Sequence, residues 1–121
     1  MYSSTGLSVT HDTQSGSYTK IGNTVFFTLF IGTDVVSGGG ASQLIITGLP
    51  YAANSPSSGI VGLAYTFNAS ENDTKWVIVS GQAAISFYTG TSNGAAVLPS
   101  SALATYNNAN RLYISGTYTT T

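Results

Sequence analysis

Thr24-Val25-Phe26-Phe27-Thr28-Leu29-Phe30-Ile31 decides the fold class. Its alternate positions Val25, Phe27, Leu29 and Ile31 make one apolar face, a period of two that belongs to a β-strand and not to a helix. The opposite face is not polar either, since it reads Thr24, Phe26, Thr28 and Phe30. An antiparallel sheet with one solvated side turns amides and charges to water, so a strand apolar on both sides needs a second cover. That cover is a loop of the same chain folded across it or a neighbouring subunit. The charge count given below favours the subunit, with Phe26, Phe30 and Tyr113 as the expected interface residues.

The same period extends outward along the chain. Strands are expected near Leu7–Thr10, Ser17–Ile21, Thr24–Ile31, Gln43–Thr47, Ile60–Phe67, Trp76–Val79, Ala83–Tyr88 and Arg111–Tyr118. Ile60–Phe67 sets Val61, Leu63, Tyr65 and Phe67 on one side, and Arg111–Tyr118 sets Leu112 and Ile114 against Arg111 and Tyr113. Gly22-Asn23 is a two-residue connection whose leading glycine accepts the positive φ of a type II′ turn, so the strands on either side should pair antiparallel. Gly38-Gly39-Gly40 and Asn54-Ser55-Pro56-Ser57-Ser58-Gly59 mark loops. Only Ala95–Tyr106 has room for a helical turn, limited by Pro99. About eight short strands within 121 residues predict one domain over residues 1–121, an all-β, antiparallel, jelly-roll-like sandwich, with residues 1–16 as an extended N-terminal arm.

Charge is the unusual quantity: 6% of residues are Asp, Glu, Lys or Arg, against roughly 25% in an average soluble domain. The 17 Ser, 17 Thr, 14 Gly and 8 Asn must supply the polar surface instead. A net charge of −1 gives little repulsion between copies and suits a subunit that lives assembled. Three basic residues cannot neutralise a phosphate track, which argues against nucleic acid as a partner, and a polybasic membrane contact fails likewise. No run approaches the roughly 20 apolar residues of a membrane span, and Met1-Tyr2-Ser3-Ser4-Thr5-Gly6-Leu7-Ser8-Val9 lacks the basic start and apolar core of a signal peptide. With no cysteine, disulfides and thiolate metal sites are excluded.

The ionisable inventory is Asp12, Asp34, Glu71, Asp73, Lys20, Lys75, Arg111 and His11. Gly90-Thr91-Ser92-Asn93-Gly94 matches the letters of a nucleophile elbow, but that motif needs a strand before it, a helix after it, and an acid and then a histidine downstream. The single histidine lies upstream and no acid follows Ser92, so the segment reads as a turn. His11-Asp12 is a nominal acid–base pair whose adjacent side chains diverge on an extended backbone. Glu71-Asn72-Asp73 clusters oxygen ligands without the loop signature of a calcium site. Asn68-Ala69-Ser70 and Asn72-Asp73-Thr74 match a glycosylation triplet that is common by chance. Trp76, in Trp76-Val77-Ile78-Val79, reads as a core or interface residue before it reads as a sugar-stacking platform. No enzyme, no cofactor and no metal are expected.

Three segments together carry a resemblance: Tyr18-Thr19-Lys20-Ile21-Gly22-Asn23-Thr24-Val25, Leu44-Ile45-Ile46-Thr47-Gly48-Leu49-Pro50-Tyr51 and Leu112-Tyr113-Ile114-Ser115-Gly116-Thr117-Tyr118. In order and spacing the set resembles a module of tail-fibre tips and small virion proteins of tailed bacteriophages, particularly those of cyanobacteria and other aquatic hosts. The resemblance runs from about Ser17 to the C-terminus. It implies a trimeric β-sandwich on a virion, with neither cofactor nor catalysis. Because the module stands without a long N-terminal shaft, it implies a capsid decoration (cement) protein before a fibre tip. The expected partners are then further copies of the chain and the major capsid protein, with Met1, Tyr2, Ser3, Ser4 and Thr5 as a strap on the shell. The alternative is a receptor-binding tip that holds a host-surface polysaccharide in loops around Gly38–Ala41, Ser55–Gly59 and Glu71–Thr74.

Overall fold

The computed structural model describes residues 1–65, 74–91, 94–105 and 107–121. Within them the chain forms β1 (Tyr2–Ser3), β2 (Ser8–Ile21), β3 (Thr24–Ser37), β4 (Ile45–Thr47), β5 (Ser57–Ile60), β6 (Leu63–Tyr65), β7 (Thr74–Ile78), β8 (Ala84–Thr91), β9 (Gly94–Val97) and β10 (Ala109–Thr119). A single 3-10 turn among the described residues, Ser100–Ala102, follows Pro99. One sheet has the order β1-β4-β8-β7-β5, with β9 also on β8; the other has four strands in the order β2-β3-β10-β6. Every pairing is antiparallel. The chain is therefore an all-β sandwich.

The β2–β3 hairpin follows from its turn. Ile21 pairs with Thr24 around Gly22-Asn23, and Gly22 has φ 58° while Asn23 stays out of the left-handed region, as a type II′ turn needs. Along β3, Val25, Phe27 and Ile31 point into the core. Three consecutive buried residues, Ile31, Gly32 and Thr33, then break the alternation. Register shifts between Thr10 and Thr13 on β2, and between Ala109 and Leu112 on β10, flank this point. The bulged ladder exchanges the faces, so that farther along Val36 is buried and Val35 is 49% exposed.

Trp76 of β7 joins the two sheets. It is 2% exposed and meets Phe27 of β3 edge-on at 5.5 Å, while Phe27 also contacts Tyr118 of β10 at 6.0 Å. Gly116 of β10 makes the approach possible, because a Cβ there would lie 2.3 Å from the indole. A second tie is polar. The fully buried Asn110 accepts a hydrogen bond from the Ala104 N–H at 2.7 Å and donates to the Ala104 carbonyl at 2.7 Å and the Thr33 hydroxyl at 2.8 Å. The Tyr2 hydroxyl donates to the Asn110 carbonyl at 2.8 Å, so β1, β3, β10 and the segment after the 3-10 turn meet at one asparagine.

Several expectations need correction. Residues 1–16 are not an arm. Tyr2 is a core residue at 3% exposure, and residues 8–16 belong to β2, which runs unbroken where the sequence suggested two strands. The polar stretch His11–Gly16 has no apolar signal, yet its backbone pairs with β3. Met1–Thr5 are tied to the sandwich: the Met1 amino group donates to the Thr47 carbonyl at 2.7 Å, and the Ser4 hydroxyl donates to the Ser42 carbonyl at 3.2 Å. The expected strand Ile60–Phe67 is divided, since Ile60 ends β5 in one sheet and Leu63 begins β6 in the other. Val61-Gly62 carries the chain across, and Phe67 lies outside the described residues. β1 and β9 were not anticipated.

Candidate functional site

The outer face of the four-stranded sheet is the candidate site. On it the register sets Phe30 of β3 directly opposite Tyr113 of β10, and Phe26 opposite Thr117 and Thr19. The Phe30 and Tyr113 rings stack at 4.2 Å, 7° from parallel. Phe26 is 46% exposed and Tyr113 42%. Among the described residues no loop folds over them, so these residues do not supply the cover that the sequence demands. Ile21, 65% exposed, extends the apolar surface toward the hairpin tip.

One ion pair borders the rings. The Arg111 guanidinium lies 5.8 Å from the Phe30 ring centre, donates to the Asp12 carboxylate and reaches the Asn108 side-chain oxygen at 3.4 Å. Asp12 is the bulged residue of β2, which turns it onto this face. Gly32 lies between the partners, and a Cβ there would come within 2.7 Å of the Asp12 carboxylate. The patch therefore offers two half-exposed rings beside a partly desolvated charge pair.

Catalytic geometry is not assembled from His11 and Asp12. His11 turns inward, stacks on Tyr2 at 5.8 Å and accepts the Tyr2 N–H on Nε2 at 3.2 Å, while Asp12 faces outward to Arg111. Burial lowers the His11 pKa, assisted by the nearby Met1 amino group and opposed by Asp12. Gly90 and Thr91 end one strand and Gly94 begins the next, with Thr91 paired to Gly94, so a hairpin stands where a nucleophile elbow would need a helix. Ser92 and Asn93 are outside the described residues, as are Glu71-Asn72-Asp73 and the asparagines of both glycosylation triplets. Among the described residues no three His, Asp or Glu side chains gather to hold a metal.

Of the three loops considered for a polysaccharide, the two that are described do not form one surface, and residues 71–73 of the third lie outside the described residues. Gly38–Ala41 follows the C-terminal end of β3 and packs on Ser100, whereas Ser55 bonds to Thr119 at the opposite end of the sandwich, and Ser57–Ile60 is a strand. Trp76 is buried, so it cannot stack on a sugar. Sequence reading missed an open groove of about 520 Å³ between β2 and the Ile46–Pro50 segment, where Tyr18, Leu29 and Leu49 face one another. Its only sequence signal is the small and polar inward side of β2, at Gln14 and Gly16.

Comparison with known proteins returns no relationship: no family model, no curated protein and no solved structure matches this chain.

Proposed function

We propose that this protein is a non-catalytic structural subunit that docks on other protein subunits through the outer face of its four-stranded sheet. The observation that carries the reading is the uncovered aromatic patch of Phe26, Phe30 and Tyr113 on a strand whose other face is core. Each half-exposed ring has about 1 kcal/mol still to gain from burial. The sparse charge supports the same conclusion, because copies meet little mutual repulsion.

The resemblance of the three segments supports a finer assignment, a decoration protein on the head of a tailed bacteriophage with the major capsid protein as partner. The oligomer it implies is a trimer. The receptor-tip alternative draws less support, since its two described loops stand at opposite ends of the sandwich. The test is co-sedimentation of the purified protein with empty phage heads and with host polysaccharide. Binding to heads that is lost in Phe26→Ser/Tyr113→Ser is expected; binding to polysaccharide with no affinity for heads would overturn the assignment.

A further inference from the structure

Among the described residues, the strands that end the two sheets are short with one exception. β1, β5 and β6 end their sheets with two, four and three residues, whereas β2 runs for 14. Free N–H and C=O groups on an edge are a template for another strand, and natural edges are blunted by brevity, lysine, proline or a bulge. From Thr13 to Thr19, β2 has none of these: no charge, no proline, and a regular register with β3. Every residue from Gln14 to Ile21 is exposed. The register also fixes which groups are free. Ile21 and Thr24 close a two-residue turn and form a hydrogen-bonded pair, so alternation turns the N–H and C=O of Gln14, Gly16, Tyr18 and Lys20 away from β3.

We infer that this edge pairs antiparallel with the same edge of a second copy, about a two-fold axis through Gly16, joining two four-stranded sheets into one. A two-fold contact requires a surface complementary to itself, and Thr13-Gln14-Ser15-Gly16-Ser17-Tyr18-Thr19 reads almost the same from either end. Gly16 then meets Gly16 of the second copy, Ser15 meets Ser17, and Thr13 meets Thr19, leaving Gln14 with Tyr18 as the unlike pair. The outward backbone groups of Gly16, Gln14 and Tyr18 fall into hydrogen-bonded positions. The Ser17 hydroxyl already shares a hydrogen bond with Thr28 at 2.9 Å, and Ser15 of the second copy extends that row. The contact lies in the plane of the sheet and is independent of docking on its outer face.

Single cysteines test the register in a chain that has none. Ser15 and Ser17 of opposite copies would be a directly opposed pair with Cα atoms about 4.5 Å apart, within disulfide reach, while two Ser15 or two Ser17 residues stand diagonally at roughly 8 Å, beyond it. Mild oxidation of a mixture of Ser15→Cys and Ser17→Cys chains is expected to give the mixed disulfide, with each variant alone staying uncross-linked. Sedimentation of Ser15→Lys/Ser17→Lys is expected to show half the mass of the parent. Equal cross-linking of either variant alone, no mixed disulfide, or an unchanged mass would overturn the inference. The Phe26→Ser/Tyr113→Ser chain should keep the cross-link, which separates failure of this contact from failure of the outer-face reading.

Discussion

β2 and β10 flank the same strand and share little else. Both run antiparallel to β3 along most of its length, yet β10 buries Ala109, Asn110, Leu112, Ile114 and Tyr118 while β2 is exposed at every residue beyond Thr13. Hydrogen bonding to β3 is enough to make each a strand. Burial is decided by what lies across the sandwich. β10 faces β7 and its tryptophan, whereas β2 faces the two residues of β1 and then the open groove.

Two tyrosines that both touch Tyr51 sharpen the contrast most. Tyr118 of β10 is 2% exposed, packs on Phe27 and donates to the Tyr51 carbonyl at 3.0 Å. Tyr18 of β2 meets the Tyr51 ring edge-on at 5.8 Å and is 51% exposed. Tyr118→Ala is expected to cost about 4 kcal/mol in urea unfolding, and Tyr18→Ala about 0.5 kcal/mol or less. Similar losses would refute the account of why the two strands differ.

Asn110→Ala comes next, at about 3 kcal/mol, because it strands the buried Ala104 N–H and C=O together and leaves the Thr33 hydroxyl only its bond to the Ala109 carbonyl. Part of the loss is conformational, since Asn110 has φ 52°, which alanine adopts less readily. Gly116→Ala should cost about 2 kcal/mol by driving a methyl group into Trp76. Phe26→Ser, on the open face, should stay within about 0.5 kcal/mol in the monomer while weakening association, read by sedimentation.

Legibility in the sequence followed the range of the interactions. Thr24–Ile31 and the Gly22-Asn23 turn could be read because period and turn chemistry are local. Phe26, Phe30 and Tyr113 were legible as the patch because they are aromatic on the side of a strand that water would claim. The middle of β2 was not, since its strand state comes from the backbone of β3. The change of sheet at Val61-Gly62 was hidden by an alternation that continues through it. Asn110 gave no signal, because a buried asparagine looks like an exposed one until its partners are known. The Arg111–Asp12 pair joins residues 99 apart and depends on a bulge.

The smallest expected effect lies where β2 still touches the core. His11 accepts the Tyr2 N–H, which only the neutral imidazole can do. Burial first, and then the Met1 amino group, hold its pKa below the ordinary value of about 6.5, against the pull of Asp12. The unfolded chain therefore takes up a proton near pH 6.5, and the folded chain only at lower pH. Stability from this residue is complete above that point, declines as pH falls toward the folded pKa, and levels off below it. Unfolding midpoints at pH 7.5 and 5.5 should differ more in the parent than in His11→Gln, where the Met1 amino group, its pKa lowered by burial, leaves a residual difference of the same sign. A parent midpoint that does not move would mean that His11 titrates alike in both states, and that β2 is as loosely held at this end as it is beyond Thr13.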